Sequence, residues 1–87
     1  MGNIHTSGED YLEAILVLWN KQNGEVRSID VARELNVTKP SVSNAMKILR
    51  EGKFITMDEN GFITLTDAGR YVAEKIYEKH LVLTEWL

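Results

Sequence analysis

The sequence predicts a mainly α-helical domain carrying one small β-hairpin. Three observations lead there. Apolar residues recur at helical spacing in three successive segments before residue 50. The spacing then gives way to two short β-prone runs, "FITM" and "FITL", on either side of "DENG". Helical spacing resumes after them. With 87 residues, 44% of them hydrophobic and 26% charged, the chain has the make-up of one globular domain spanning 1–87.

Each element follows from local signals. Thr6 or Ser7 can cap a first helix, with Glu9 or Asp10 at the capping-box position, and Leu12, Ile15, Leu16 and Trp19 form its apolar face. Asn23-Gly24 ends it. Ser28 is the expected cap of a short second helix, "IDVARELN", whose Ile29, Ala32 and Leu35 share a face. Asn36-Val37 makes the turn, and Thr38 caps a third helix with Pro40 in its first turn, where the missing N–H costs nothing. Val42, Ala45, Met46 and Leu49 are its apolar stripe, and Gly52 its expected C-terminal cap. Asn60-Gly61 signals the hairpin turn. Thr66-Asp67 caps a last helix bearing Val72, Ile76, His80 and Leu83. Helix, helix, turn, helix, hairpin, helix is the order of a winged helix-turn-helix.

The net charge of −3 conceals a segregation. Residues 1–26 set Lys21 against Glu9, Asp10, Glu13 and Glu25, and residues 55–87 carry three basic against six acidic side chains. Residues 27–54 hold Arg27, Arg33, Lys39, Lys47, Arg50 and Lys53 against Asp30, Glu34 and Glu51. A basic middle third is the electrostatic footprint expected of a DNA-binding surface. The absence of Cys excludes disulfides, thiolate metal sites and a Cys nucleophile, and suits the cytoplasm. There is no run long enough for a membrane span and no basic-then-apolar leader, so no membrane partner is expected. Neither histidine has a plausible nucleophile beside it and no Gly-rich phosphate loop exists, so no enzymatic activity is expected.

In a helix-turn-helix the third helix enters the major groove. Its exposed positions here are Lys39, Ser41, Ser43, Asn44 and Lys47. The Ser hydroxyls can bond phosphates or bases, and Asn44 can read an adenine edge through two hydrogen bonds. Lys47 and Arg50 suit phosphate neutralisation, Arg27 flanks the preceding helix, and the N-terminus of the third helix, with Thr38 and Pro40, offers N–H groups to a phosphate. The candidate DNA-contacting set is thus Arg27, Thr38, Lys39, Pro40, Ser41, Ser43, Asn44, Lys47 and Arg50. Asp58 and Glu59 place two negative charges near the wing tip, which disfavours phosphate binding there.

"EDYLEAIL", "SIDVARELNVTKPSVSNAMKIL", "FITLTDAGR" and "YEKHLVLTEWL" resemble the N-terminal DNA-binding region of the diphtheria toxin repressor family, over residues 7–87. That family comprises iron- and manganese-sensing metal-dependent repressors. The resemblance implies a repressor of metal-ion homeostasis genes that binds palindromic operators as a homodimer when loaded with a divalent metal. It also implies that Asp10, Glu13 and His80 are metal ligands, Asp10 standing where manganese-type members have Asp and iron-type members Met. Carboxylates with one imidazole favour Mn²⁺ over Fe²⁺. Thr84 replaces a family Glu, and the remaining ligands and the dimer contacts belong to a C-terminal dimerisation domain absent from this chain, so the metal site is expected to be incomplete. Without the resemblance, Asp10 and Glu13 need no more than the preference for acidic residues at a helix start. The alternative reading is a metal-independent winged-helix regulator answering to a small organic effector, similar to the multiple-antibiotic-resistance-type repressors.

Overall fold

The computed structural model describes the backbone of residues 8–86 and the side chains of residues 8–79. Its elements run α1 (Gly8–Lys21), α2 (Ser28–Leu35), α3 (Lys39–Glu51), β1 (Ile55–Met57), β2 (Ile63–Leu65) and α4 (Asp67–Trp86). This is the expected order, with β1 and β2 antiparallel and Ile55, Thr56 and Met57 opposite Leu65, Thr64 and Ile63. The proposed caps Thr6 and Ser7 lie outside the described residues, as do the side chains of His80, Leu83 and Thr84.

Helix α1 is the hub. Beyond the expected Leu12, Ile15 and Leu16, it also buries Tyr11, Ala14 and Leu18, which widens the covered face to roughly half of the helix, while Asp10, Asn20 and Lys21 stay exposed on the other side. It packs most extensively on α4 and also touches α2, α3 and β2. Burial raises the pKa of the Tyr11 hydroxyl by desolvating the phenolate. In α2 the buried arc is centred on Val31 and Ala32, while Ile29 is 37% exposed, so the Ile29–Ala32–Leu35 face is rotated from the expected one. Val42, Met46 and Leu49 form the underside of α3, with Ala45 half-buried.

The helix ends correct one cap assignment, Ser28, and bear out Gly52 as the C-cap of α3 while moving the left-handed turn to the residue after it. Helix α2 starts with Arg27 in the N-cap position, and the backbone N–H of Arg27 donates to the Asp30 carboxylate at 2.9 Å. A carboxylate reaching back from the third helical position supplies a charge-assisted acceptor, so Ser28 is left as the first helical residue. At the end of α3, Gly52 has φ −80, and the left-handed residue is Lys53, with φ 64. Lys53 N–H donates to Arg50 O and Phe54 N–H to Leu49 O, the paired bonds of a Schellman cap. Asn36 (φ 55) ends α2 the same way, through Asn36 N–H to Arg33 O and Val37 N–H to Ala32 O. What Gly52 provides is room, because a Cβ there would lie 3.1 Å from the Phe54 ring.

The start of α4 is locked onto the end of α3. The Thr66 hydroxyl accepts the Gly69 N–H at 3.2 Å and donates to Lys53 O at 2.7 Å, while Thr66 N–H donates to Phe54 O. The first turn of α4 therefore lies directly over the Phe54 carbonyl, and a Cβ on the buried Gly69 would overlap that oxygen. This backbone approach explains the Gly in "TDAGR". Gly61 differs: its φ is +86, yet nothing lies within 4 Å of a Cβ placed there.

Two substitutions separate these roles. Gly69→Ala is expected to destabilise the domain by about 3 kcal/mol through overpacking against backbone, and Gly61→Ala by only about 1 kcal/mol through left-handed strain. Urea unfolding checks this, and equal losses would contradict the steric reading of Gly69.

Candidate nucleic-acid interface

The α3 surface is built from its first turn. Thr38, at φ −76 and ψ 159, accepts the Ser41 N–H on its Oγ1 at 3.2 Å and donates its own proton to Ser41 Oγ at 2.9 Å. Ser41 thus keeps a hydroxyl proton to donate outward. The cap also narrows one expectation. Pro40 has no N–H and that of Ser41 is consumed, so the helix end presents an anion with the N–H groups of Thr38 and Lys39 rather than a full set.

Thr38, Lys39, Pro40, Ser41, Ser43, Asn44, Lys47 and Arg50 are all exposed, as is Arg27. Helical spacing sorts the α3 residues into two lines flanking Pro40. Ser43, Lys47 and Arg50 form a basic line. Ser41, Asn44 and Ile48 form a neutral one, and Ile48 is 57% exposed. The sequence reading passed over Ile48, although its position outside the Val42–Met46–Leu49 stripe was a visible signal. Glu51 shares a shallow depression with Lys47 and Arg50 and tempers the positive field at the far end of the helix.

The wing is tied at its root to the segment before α2. Asp58 Oδ1 accepts the N–H groups of Asn60 and Phe62, both at 2.9 Å, and Gly61 N–H donates to Asp58 O. The loop is therefore a three-residue connection ending in a left-handed Gly61. Asp58, expected simply as a repulsive charge at the tip, organises this turn. Phe62, also missed from sequence, lies beneath Arg27, with the guanidinium carbon 4.4 Å from the ring centroid. The adjoining Ile63 N–H donates to Val26 O at 2.8 Å, so backbone and side chain together tie the segment before α2 to the wing. A cation stacked on an aromatic face loses fewer conformations when it meets a phosphate.

Away from α3, Asp10 and Glu13 line a cleft of about 260 Å³ with Ala14, Val17, Glu34 and Leu35, between α1 and α2. Glu34, a third carboxylate at this cleft, was not among the expected ligands. Among the described residues no group of three His, Cys, Asp or Glu is arranged to hold a metal ion. His80 belongs to α4, but its side chain lies outside the described residues. The donor types still fit a hard divalent ion, since two carboxylates and an imidazole suit Mn²⁺-like chemistry.

Comparison with known proteins places this geometry. The sequence model described as iron dependent repressor, N-terminal DNA binding domain, matches residues 3–62. The chain belongs to that family. An HTH-type transcriptional regulator of Methanocaldococcus jannaschii is 32% identical over 79 residues, covering 91% of this chain and 63% of its own length. The HTH-type transcriptional regulator MntR of Geobacillus kaustophilus is 28% identical over 81 residues, covering 93% and 57%. This iron-dependent repressor domain therefore spans less than two thirds of the curated relatives it matches. Among solved structures, ScaR with bound Zn²⁺ superposes with a TM-score of 0.69 at 27% identity, over 85% of this chain and 34% of that one. The MepR–DNA complex of Staphylococcus aureus gives 0.64 at 26%, over 97% and 65%. The relatives are transcriptional regulators, and the family's DNA-binding fold is the winged helix-turn-helix found here.

Thr38→Ala is expected to cost about 1 kcal/mol of stability. Thr38→Ser should retain most of it, because its hydroxyl can make the same bonds. A thermal melt in which both variants matched the parent protein would show that the cap carries no stability.

Proposed function

We propose that this domain binds operator DNA by laying α3 in the major groove, and that in a longer chain it serves a metal-dependent repressor. One observation carries the reading: the solvent-facing side of α3 includes short polar side chains, Ser41, Ser43 and Asn44, bordered by Lys47 and Arg50 and starting at a capped helix end. Short polar groups allow close approach to base edges, and the basic line meets phosphate. Lys39 and Pro40 enter first, and Arg27, stacked on Phe62, adds a phosphate contact at the root of the wing. An enzymatic role has no support in this surface, and the protein–protein alternative suffers from a face poor in the aromatic anchors of protein hot spots.

Metal control rests on Asp10, Glu13 and His80. These residues would hold a divalent ion, Mn²⁺ in preference to Fe²⁺, with Asp10 and Glu13 contributed by α1, beside α2, and His80 by α4. The ion supplies positive charge that relieves carboxylate repulsion. In a longer chain such as those of the relatives, further residues would complete the set and join two copies, so that paired α3 helices meet a palindromic operator in the cytoplasm. The runner-up is a winged-helix regulator answering to an organic effector instead of a metal, supported by the likeness to MepR, a transcription regulator of a multidrug efflux pump.

Two measurements test this function. In fluorescence anisotropy, Lys47→Ala should weaken binding to specific and random duplexes alike and reduce the salt slope by about one. Asn44→Ala should relax preference at one base pair, and equal losses on both duplexes would reduce Asn44 to a phosphate contact. In the full-length protein, Asp10→Ala or His80→Ala should abolish the Mn²⁺-dependent gain in operator affinity while leaving metal-free binding nearly unchanged. Operator binding indifferent to Mn²⁺ in the unmutated protein would favour the organic-effector reading.

A further inference from the structure

Ile48 is the most exposed large aliphatic side chain among the described residues, at 57%. It lies on α3, seven residues after Ser41 and four after Asn44, on the neutral line that continues from the capped first turn. A β-branched residue is a modest helix former, and at a solvent-facing position it gains nothing from the core beneath. The core side of α3 is already filled by Val42, Met46 and Leu49, so Ile48 is not a displaced core residue.

We infer that Ile48 is a specificity-determining residue that packs on the C5-methyl group of a thymine in the bound site. The inference rests on the proposed docking of α3 in the major groove. Once α3 is seated there, Ile48 is removed from water, and the thymine methyl is the distinctive apolar group that base edges present in the major groove. The chemistry of the groove thus names the base. Ile48 also stands about 6 Å along the helix axis from Asn44. At about 3.4 Å per base step, the thymine lies roughly two base pairs from the adenine read by Asn44.

The test uses the 87-residue chain and a duplex enriched by it from a random library. Replacing each thymine in turn by deoxyuridine removes one methyl group and leaves every hydrogen bond. At one thymine this should lower affinity about four-fold, the value of one buried methyl. Ile48→Ala should lose a similar factor on the unmodified duplex and be insensitive to deoxyuridine at that thymine, with its melting temperature within about 3 °C of the parent. Ile48→Val should keep part of the discrimination. Additive effects of Ile48→Ala and deoxyuridine at every thymine would overturn the inference. If Lys47→Ala and Asn44→Ala still weakened binding in that case, groove docking would stand and Ile48 alone would be excluded. If no sequence were enriched at all, both readings would fall.

Discussion

The core of this domain is organised by the burial of one broad face of α1. Tyr11, Leu12, Ala14, Ile15, Leu16 and Leu18 are six buried residues within eight consecutive positions, too many for one amphipathic stripe. A face this wide needs several partners, and α4, α2, α3 and β2 supply them. The exposed Asp10 and half-buried Glu13 emerge near its N-terminus, beside α2 and Glu34. Residues expected to sense metal therefore stand on the same helix that supports the underside of α3. A bound cation acting on α1 would act on the central support of the domain and not on a peripheral arm.

The second constraint is the junction of α3, wing and α4. Lys53 turns the chain in a left-handed conformation, Phe54 O receives the Thr66 N–H, Thr66 closes back on Lys53 O, and Gly69 allows α4 to cross at backbone contact. These bonds set the orientation of α4 relative to α3 with little slack. In the proposed repressor α3 would read DNA and α4 would carry the metal ligand His80. A rigid junction between them is what would convert a change in dimer geometry into a change in α3 spacing.

The surface itself divides labour by chemistry. Ser43, Lys47 and Arg50 put hydroxyl and charge on one side of α3, while Ser41, Asn44 and Ile48 put hydroxyl, amide and methyl groups on the other. Arg27 leans on Phe62, whose backbone is bonded to Asp58 of the acidic wing turn. The overall charge of −3 is thus compatible with a DNA-facing surface, because the acidic residues fall largely on other parts of the molecule.

Much of this was legible in the chain. The period of apolar residues identified all four helices and the hairpin, and the spacing of Ser41, Ser43, Asn44 and Lys47 placed them on one exposed side of α3, because helical geometry is local. Sequence motifs also carried the family relationship. Tertiary structure decided what depends on neighbours distant in sequence. Whether Ile29 or Val31 is buried follows from how α2 leans on α1 and α3, and the need for Gly at 69 follows from a carbonyl fifteen residues earlier. The stacking of Arg27 on Phe62 joins residues thirty-five apart in sequence. The Asp30 cap on Arg27 and the left-handed Lys53 after Gly52 are local by contrast, made by bonds to residues three to five positions away. Periodicity and composition sufficed for the elements and their exposed faces, since those depend on residues within a turn or two. Contacts across the fold required the assembled chain, since no local pattern encodes which backbone passes over which.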